Sequence, residues 1–260
     1  MDQEKKICGG QIIVAFFIVS LALIASSYLI SQKIYQSKKL DNTIQVTGLA
    51  EKNVTSDTVK WNTSFSRNAE VSGLKDGLVA MKQDLEKIVK YFKEQGIKEN
   101  EITFESLNIT PVCESSYNTF YDKTGTQGCA GNHISNYNLQ QNILIQSDNV
   151  QKITDISRSV VDTLINQGIV FSSLNLEYYY SHLADLRMEL IDQATKNAKM
   201  RAEQVAKATG TKLGSLQSIN TGTFQITSVN SAEVSDYGYY DTSVLEKKIS
   251  TTVRASFYLN

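Results

Sequence analysis

Proline is almost missing from this chain, with one residue in 260. Long extended linkers are thereby excluded, and the elements must be joined by short polar loops. Histidine occurs twice and tryptophan once. Neither sign of charge dominates: 26 basic residues face 27 acidic ones, for a formal charge of -1. That balance gives no global attraction to nucleic acid, and no basic cluster is interleaved with aromatics. The usual catalytic words are missing too. There is no G-x-S-x-G elbow, H-E-x-x-H helix, Walker loop, dinucleotide glycine fingerprint or Cys-x-x-Cys pair. No catalytic residue, cofactor or metal set emerges, and the chain is expected to be a non-enzyme without nucleic-acid partners.

One segment has no charge at all. "IIVAFFIVSLALIASSYLI", residues 12–30, is close to the roughly 20 apolar residues that span a bilayer as a helix. Inside lipid every backbone polar group must be paired within the segment, which dictates a helix. It reads as an uncleaved anchor or as a signal peptide cut after a small residue such as Ser27. The apolar run continues through Tyr28, Leu29 and Ile30, which suits a full span contacting membrane lipid. The implied division is a cytoplasmic terminus (1–11), the span (12–30), a juxtamembrane stalk (31–42) and a folded domain (43–260). Lysines flank both sides of the span, so the positive-inside count is nearly even.

Cysteine placement is the better guide to compartment. Cys113 and Cys129 bracket "CESSYNTFYDKTGTQGC", a loop rich in glycine, serine and threonine. A disulfide there would contribute about 3 kcal/mol by restricting the unfolded chain. Such bonds persist outside the reducing cytosol. Two alternatives stay open: a metal site made of Cys113, Cys129 and His133, and two unpaired thiols.

The rest of the chain alternates strand and helix patterns. Ile44 and Val46 begin one strand. Thr55, Ser56 and Asp57 supply turn chemistry, and Val59, Trp61, Thr63 and Phe65 alternate with polar residues as a second strand. Leu74, Leu78, Met81, Leu85, Ile88 and Phe92 form one helix face. Lys75, Lys82, Asp84, Glu86 and Lys93 lie on its other faces, and Gly96 closes the helix. Residues 101–110 form a strand with a phase shift near Leu107, ended by Pro111. Tyr137, Leu139, Gln141, Ile143 and Ile145 alternate as another strand. Asp148 is expected to cap a second helix with Val150, Ile153, Ile156, Val160 and Leu164 inward, stopped by Gly168. A strand follows from Ile169. A third helix spans Leu183 to Thr209, with Ile191, Ala194, Ala198, Ala202 and Val205 inward. Asp192–Lys196 and Glu203–Lys207 are its favourable ion pairs. Three more strands follow, the last one "ISTTVRASFYL". The junctions "EQGI…SLNIT" and "NQGI…SLNL" match each other and hint at a duplicated strand–helix–strand unit.

Taken in order, several stretches resemble the SIMPL-domain family of bacterial envelope proteins. They are "IQVTG…VTSDTVKWNTSF", "GIKENEITFESLNITPV", "NYNLQQNILIQ", "ATKNAKMRAEQVAKATGTKLGSLQSI" and "ISTTVRASFYL". The resemblance covers nearly all of Thr43 to Asn260. It implies an α+β fold with a mixed, largely antiparallel sheet and about three packed helices. It also implies a periplasmic or secreted protein, frequent homo-oligomers and no established catalytic activity, with some relatives linked to stress tolerance or signalling; with the anchor, the domain is expected on the periplasmic or cell-surface side of the membrane. The cysteine loop, the tyrosine-rich loop and the apparent anchor depart from the family pattern.

Two loops carry candidate interaction residues: Tyr117, Phe120 and Tyr121 in the cysteine loop, and Tyr237, Tyr239 and Tyr240 in residues 231–248. Tyrosine among serine, glycine and asparagine makes rigid, amphipathic contacts at low entropic cost. The leading expectation is a membrane-anchored binding or assembly module, joined to itself or to an envelope protein. A hydrolase with a site assembled from loops, around His133 or His182, and a surface adhesin or receptor domain are the alternatives.

Overall fold

A computed structural model describes residues 9–39, 42–116 and 119–260. It begins with helix α1, Gly9–Lys39, whose stretch Phe16–Ile34 is long and apolar enough to cross a membrane. The segment expected to be a stalk continues this helix as far as Lys39. The remaining chain is α+β and divides into two compact units. The first holds the N-terminal residues through Ala50, Ile191–Gly222 and Thr251–Asn260, and the second holds Glu51–Leu190 and Thr223–Ser250. Strand β1 (Thr43–Thr55), helix α4 (Leu183–Ala208) and strand β12 (Glu246–Leu259) contribute to both units.

The second unit is built on a long antiparallel pair. Strand β2 (Thr58–Glu70) meets β7 (Ile134–Ser147) in register from Val59↔Ser147 to Glu70↔Asn136. From β2 the chain runs through α2 (Leu74–Glu94) to β3 (Ile102–Phe104) and β4 (Asn108–Cys113). From β7 it runs through α3 (Val150–Ile165) to β8 (Val170–Tyr179). The end of each run pairs with the start of the other: β3 and β4 with β7, and β8 with β2. Two strand–helix–strand repeats are thus interleaved in one antiparallel sheet, the split β–α–β arrangement. The duplication hinted at by the two junctions is real.

Alternation decides which face is dry. Val59, Trp61, Thr63 and Phe65 are buried on β2, as are Leu139, Ile143 and Ile145 on β7. Above them lie Met81, Ile88 and Phe92 of α2 and all five expected residues of α3. Trp61, Phe92 and Phe171 join β2, α2 and β8 through edge-to-face contacts with centroids 5.9–6.3 Å apart. The Trp61 indole N–H donates to the Ser173 hydroxyl at 3.1 Å, so its polar edge is satisfied.

Both helices of this unit end in the same way. The Ile97 amide donates to the Phe92 carbonyl and the Ile169 amide to that of Leu164, with Gly96 and Gly168 left-handed between. This is the Schellman closure, and it requires a residue tolerant of positive φ.

Several local expectations are corrected. Asp84 is buried rather than solvated, because the Arg67 guanidinium of β2 grips its Oδ2 from Nε (2.8 Å) and from a terminal nitrogen (2.6 Å). Residues 101–110 hold two short strands, broken between Phe104 and Asn108, rather than one continuous strand. Pro111 lies inside β4 opposite Tyr137, which an edge strand tolerates because one side needs no donor. Asn149, not Asp148, caps α3, accepting from the Lys152 amide at 3.2 Å. In α4 the buried positions are Leu186, Leu190, Ala194, Ala198, Ala202 and Ala206, so Ile191 and Val205 fall off the inward stripe. Glu203 approaches Lys199, one turn before it, at 3.9 Å rather than the expected Lys207, whereas Lys196 does meet Asp192 at 2.6 Å.

In the first unit, α4 packs on a sheet in which β9 (Leu213–Thr221) pairs with the end of β12. Ala198 and Ala202 lie against Ala255 and Phe257. Gly48 of β1 runs so close to α4 that a Cβ there would overlap the Ala194 carbonyl oxygen and the Ala198 backbone. Side chains of α4 satisfy the adjoining backbone: Asn197 accepts from the Leu49 amide, and Arg201 donates to the Thr47 carbonyl.

Two carboxylates tie joints of the second unit. Burial would raise the Glu101 carboxyl, but the Ser147 hydroxyl, the Lys98 amide and the charges of Lys98 and Lys152 outweigh it and hold the pKa low. Burial would likewise raise Asp57, but the Ser181 hydroxyl and amide, Thr58 and His182 hold it low.

Two outcomes follow. Gly48→Ala forces a backbone shift and is expected to cost about 1–3 kcal/mol, read from the urea midpoint; an unchanged midpoint contradicts the close approach. Because the Glu101 pKa is depressed on folding, its contribution is complete above about pH 4.5 and is lost as pH falls through the lowered value. Urea denaturation from about pH 5 to pH 2 should therefore give a shallower acid limb in Glu101→Gln than in the parent.

Candidate functional site

The cysteine loop is an insertion between β4 and β7. It holds a small hairpin, β5 (Thr119–Tyr121) against β6 (Gln127–Cys129), with Thr119 opposite Cys129. The hairpin turns at Asp122, whose carboxylate accepts from the Thr124 hydroxyl and from the Thr124 and Thr126 amides. The Thr124 hydroxyl leads the causes that lower the Asp122 pKa. The sulfurs of Cys113 and Cys129 are at bonding distance, 1.96 Å, with Cα atoms 5.5 Å apart. Bonded sulfurs are not metal ligands, and among the described residues no three metal-binding side chains gather. His133 instead faces Glu114, Nδ1 to Oε2 at 3.3 Å.

The loop aromatics divide by environment. Phe120 lies over Gly128, leaving no room for a Cβ there, yet stays 50% exposed; Tyr121 is 67% exposed. Tyr117 lies outside the described residues. In the later segment, residues expected to be pure loop include a strand. Tyr239–Tyr240 form β11, parallel to β10 (Gln225–Ser228), and β12 starts at Glu246 rather than near Ile249. Tyr237, on the turn at Gly238, is almost wholly exposed. Tyr240 turns inward. Its ring is 5.9 Å from that of Tyr179, and its hydroxyl accepts from the Tyr180 amide at 3.4 Å.

Behind Tyr240 sits a buried lysine that the sequence pattern did not single out. Lys247 is fully enclosed, donates to the carbonyls of Asp241 and Val244, and lies 5.7 Å from the Tyr240 ring centre. Burial lowers its pKa, and the Asp241 carboxylate pushes in the opposite direction. It buckles residues 241–244 onto β12 and thereby fixes the strand that carries Tyr239.

Serine, histidine and aspartate do meet at the start of α4, as Ser181, His182 and Asp57. The Ser181 hydroxyl, however, donates directly to Asp57 at 2.8 Å, and His182 packs edge-on to Tyr180 at 6.0 Å. A nucleophile triad requires the imidazole between serine and carboxylate. Here the serine proton is held by a carboxylate of lowered basicity, so the cluster fastens the β1–β2 turn to the helix.

The helix-free face of the second unit's sheet is the remaining feature. Along β2 it presents Lys60, Asn62, Ser64, Ser66 and Asn68; opposite them on β7 are Gln146, Leu144, Asn142, Gln140 and Asn138. Amides and hydroxyls dominate, and Asn138 donates to Asn68 across the pair at 3.1 Å. Across this face runs a cavity of about 390 Å³. Asn62, Glu105, Asn142, Leu144, Leu174 and Glu177 are among its lining residues. The signal was present in the sequence as the polar partners of an alternating strand, but alternation alone does not distinguish a bare solvated face from a recess.

Comparison with known proteins adds one finding. The SIMPL family model, described as a protein of unknown function (DUF541), matches residues 44–257. No curated protein matches the chain. The matched span runs from within β1 to within β12 and takes in α2, α3 and α4. The chain therefore belongs to the SIMPL family.

Proposed function

We propose that this chain is a membrane-tethered module of the cell envelope whose SIMPL domain lies outside the cytoplasm and acts by binding and self-assembly, not by catalysis. The observation that carries the reading is the bareness of α1. Phe16 and Ile24 are 73% and 71% exposed, and none of the Phe16–Ile34 stretch is buried within the described protein. So large a continuous apolar surface is stable in lipid and costly in water. The bonding distance of Cys113 and Cys129 supports a compartment outside the reducing cytosol.

Assembly with further copies is supported by β9. No residue of Leu213–Thr221 is charged or proline, and among described strands only β12 pairs with it. Leu216 and Ile219 are 48% and 42% exposed. A strand edge of this kind, without lysine, proline or a cover, is an unguarded template for another strand. Exposed Phe120, Tyr121, Tyr237 and Tyr239 offer further contact area.

The test is native mass spectrometry of the detergent-solubilised full chain, with thiol alkylation before and after reduction. The expected result is an intact N-terminus, a multiple of the 29.0 kDa chain, and Cys113 and Cys129 alkylated only after reduction. Leu216→Lys with Ile219→Lys should reduce the subunit number. A mature mass lacking α1 would reassign that helix as a signal sequence. Freely reactive thiols at both positions, or a monomer at all concentrations, would remove the envelope or the assembly part respectively.

A further inference from the structure

The repeated Ser-Leu-Asn words have a structural meaning. In the β2–β8 pairing, Trp61 faces Leu176 and Thr63 faces Ser173, so Leu174 and Asn175 together oppose Asn62. That is a bulge, and it falls on the second Ser-Leu-Asn. On the opposite edge the strand breaks between Phe104 and Asn108, at the first Ser-Leu-Asn. There Glu105 is folded back onto β7: its amide donates to the Asn142 carbonyl, and the Gln141 side chain donates to its carbonyl. Across the central pair the bulge stands at Asn62 and Leu144, and the break begins two residues along β7, at Asn142 opposite Ser64. Each raises a wall, and the cavity on the helix-free face runs between them. Bulges of this kind re-aim side chains beside functional sites.

We propose that this recess is a binding site for a neutral saccharide unit. Its lining has three asparagine amides (Asn62, Asn142, Asn175), two carboxylates (Glu105, Glu177) and two leucines (Leu144, Leu174), and no lysine, arginine or histidine. Two carboxylates without a basic partner in the lining reject anions. Each carboxylate is already engaged by a neutral donor: Asn142 donates to Glu105 at 2.8 Å and the Tyr179 hydroxyl to Glu177 at 2.7 Å. That last bond leads the causes that push the tyrosine pKa up to about 12. Lys60, two residues along β2, lies over the Tyr179 ring at 5.2 Å. The amides of Asn62 and Asn175 make no hydrogen bond among the described residues and offer both donors and acceptors. A hydroxyl answers both; an ammonium ion answers only the acceptors and leaves the amide N–H groups unmatched. Leu144 and Leu174 supply the apolar contact that the C–H patches of a pyranose ring require. This inference names a ligand for the binding module proposed above but does not depend on α1 being an anchor.

The test is saturation-transfer difference NMR on the full chain in a detergent without a sugar headgroup. Maltose and N,N′-diacetylchitobiose are the saccharide probes, and spermidine is the cationic comparison. Saturable transfer to one or both saccharides is expected. Affinity should fall at least tenfold in Asn62→Ala/Asn175→Ala, with circular dichroism and thermal midpoint reporting whether that variant keeps its fold. The milder Glu105→Gln, which keeps shape and one hydrogen-bonding oxygen, should weaken binding several-fold. No saccharide transfer, transfer unchanged in both variants, or saturable binding of spermidine alone would each overturn the assignment. A loss of assembly in the double variant without any saccharide transfer would give the face to a second copy instead.

Discussion

The second unit depends on the antiparallel ladder between β2 and β7. Neither strand–helix–strand repeat can bury its apolar face alone, because the strand that closes each repeat pairs with the opening strand of the other. Without the central pair, β3, β4 and β8 lose their partner, and α2 and α3 lose the surface they cover. The cost of forming such non-local contacts is mostly loop-closure entropy, which is met only once the whole sheet is assembled. The aromatic contacts among Trp61, Phe92 and Phe171 lock that assembly, since they join a strand, its own helix and the far repeat's last strand.

The same ladder determines where function can lie. Period-two alternation places every second side chain of β2 and β7 under the helices and the others on the helix-free face. The dry side is mostly apolar; Thr63 there donates to the Ile143 carbonyl, and Arg67 reaches Asp84 in an ion pair that costs desolvation and is held by two hydrogen-bonding contacts to one oxygen. The wet side is rich in amides and hydroxyls, which bind water or polar ligands with little directional strain. Relief comes from the two edge strands, where one breaks and the other bulges. A flat polar sheet becomes a recess by two local faults in pairing, with no loop needed to build a wall.

Much of this was legible in the chain of residues, for identifiable reasons. Val59 to Phe65 and Leu139 to Ile145 alternate cleanly because one face of each strand is dry. Gly96 and Gly168 mark helix ends because the closure there demands positive φ. Asp84 was not legible: a carboxylate on a helix looks solvated until its partner, seventeen residues earlier on a different element, is known. Ile191 and Val205 lost to alanine on α4 because close approach, set by Gly48, favours small side chains over greasy ones. Tyr239 and Tyr240 looked like loop because a two-residue parallel strand has no periodicity to detect, and its fixing group, Lys247, resembles any surface lysine by sequence. The recess escaped for a related reason. The repeated Ser-Leu-Asn words were visible, but that they fall at pairing faults on opposite edges is a property of register.

The cysteine insertion follows from the same architecture. In a split β–α–β sheet the second and third strands are hairpin neighbours, and here β4 and β7 do pair directly. The residues between Cys113 and Ile134 are therefore surplus to the sheet. Among the described residues no α-helix covers them, and Phe120 and Tyr121 are largely exposed, so burial offsets little of their ordering entropy. A cross-link between Cys113 and Cys129 meets that difficulty at its source, because closing a loop of this size removes about 3 kcal/mol of unfolded-chain freedom. It lets the hairpin of β5 and β6 stand on the sheet edge with Phe120 and Tyr121 turned to solvent. A cross-link fixes the backbone that carries these exposed aromatics, so less main-chain freedom remains to be lost in a contact. That is the condition under which such residues bind a partner with small entropic loss.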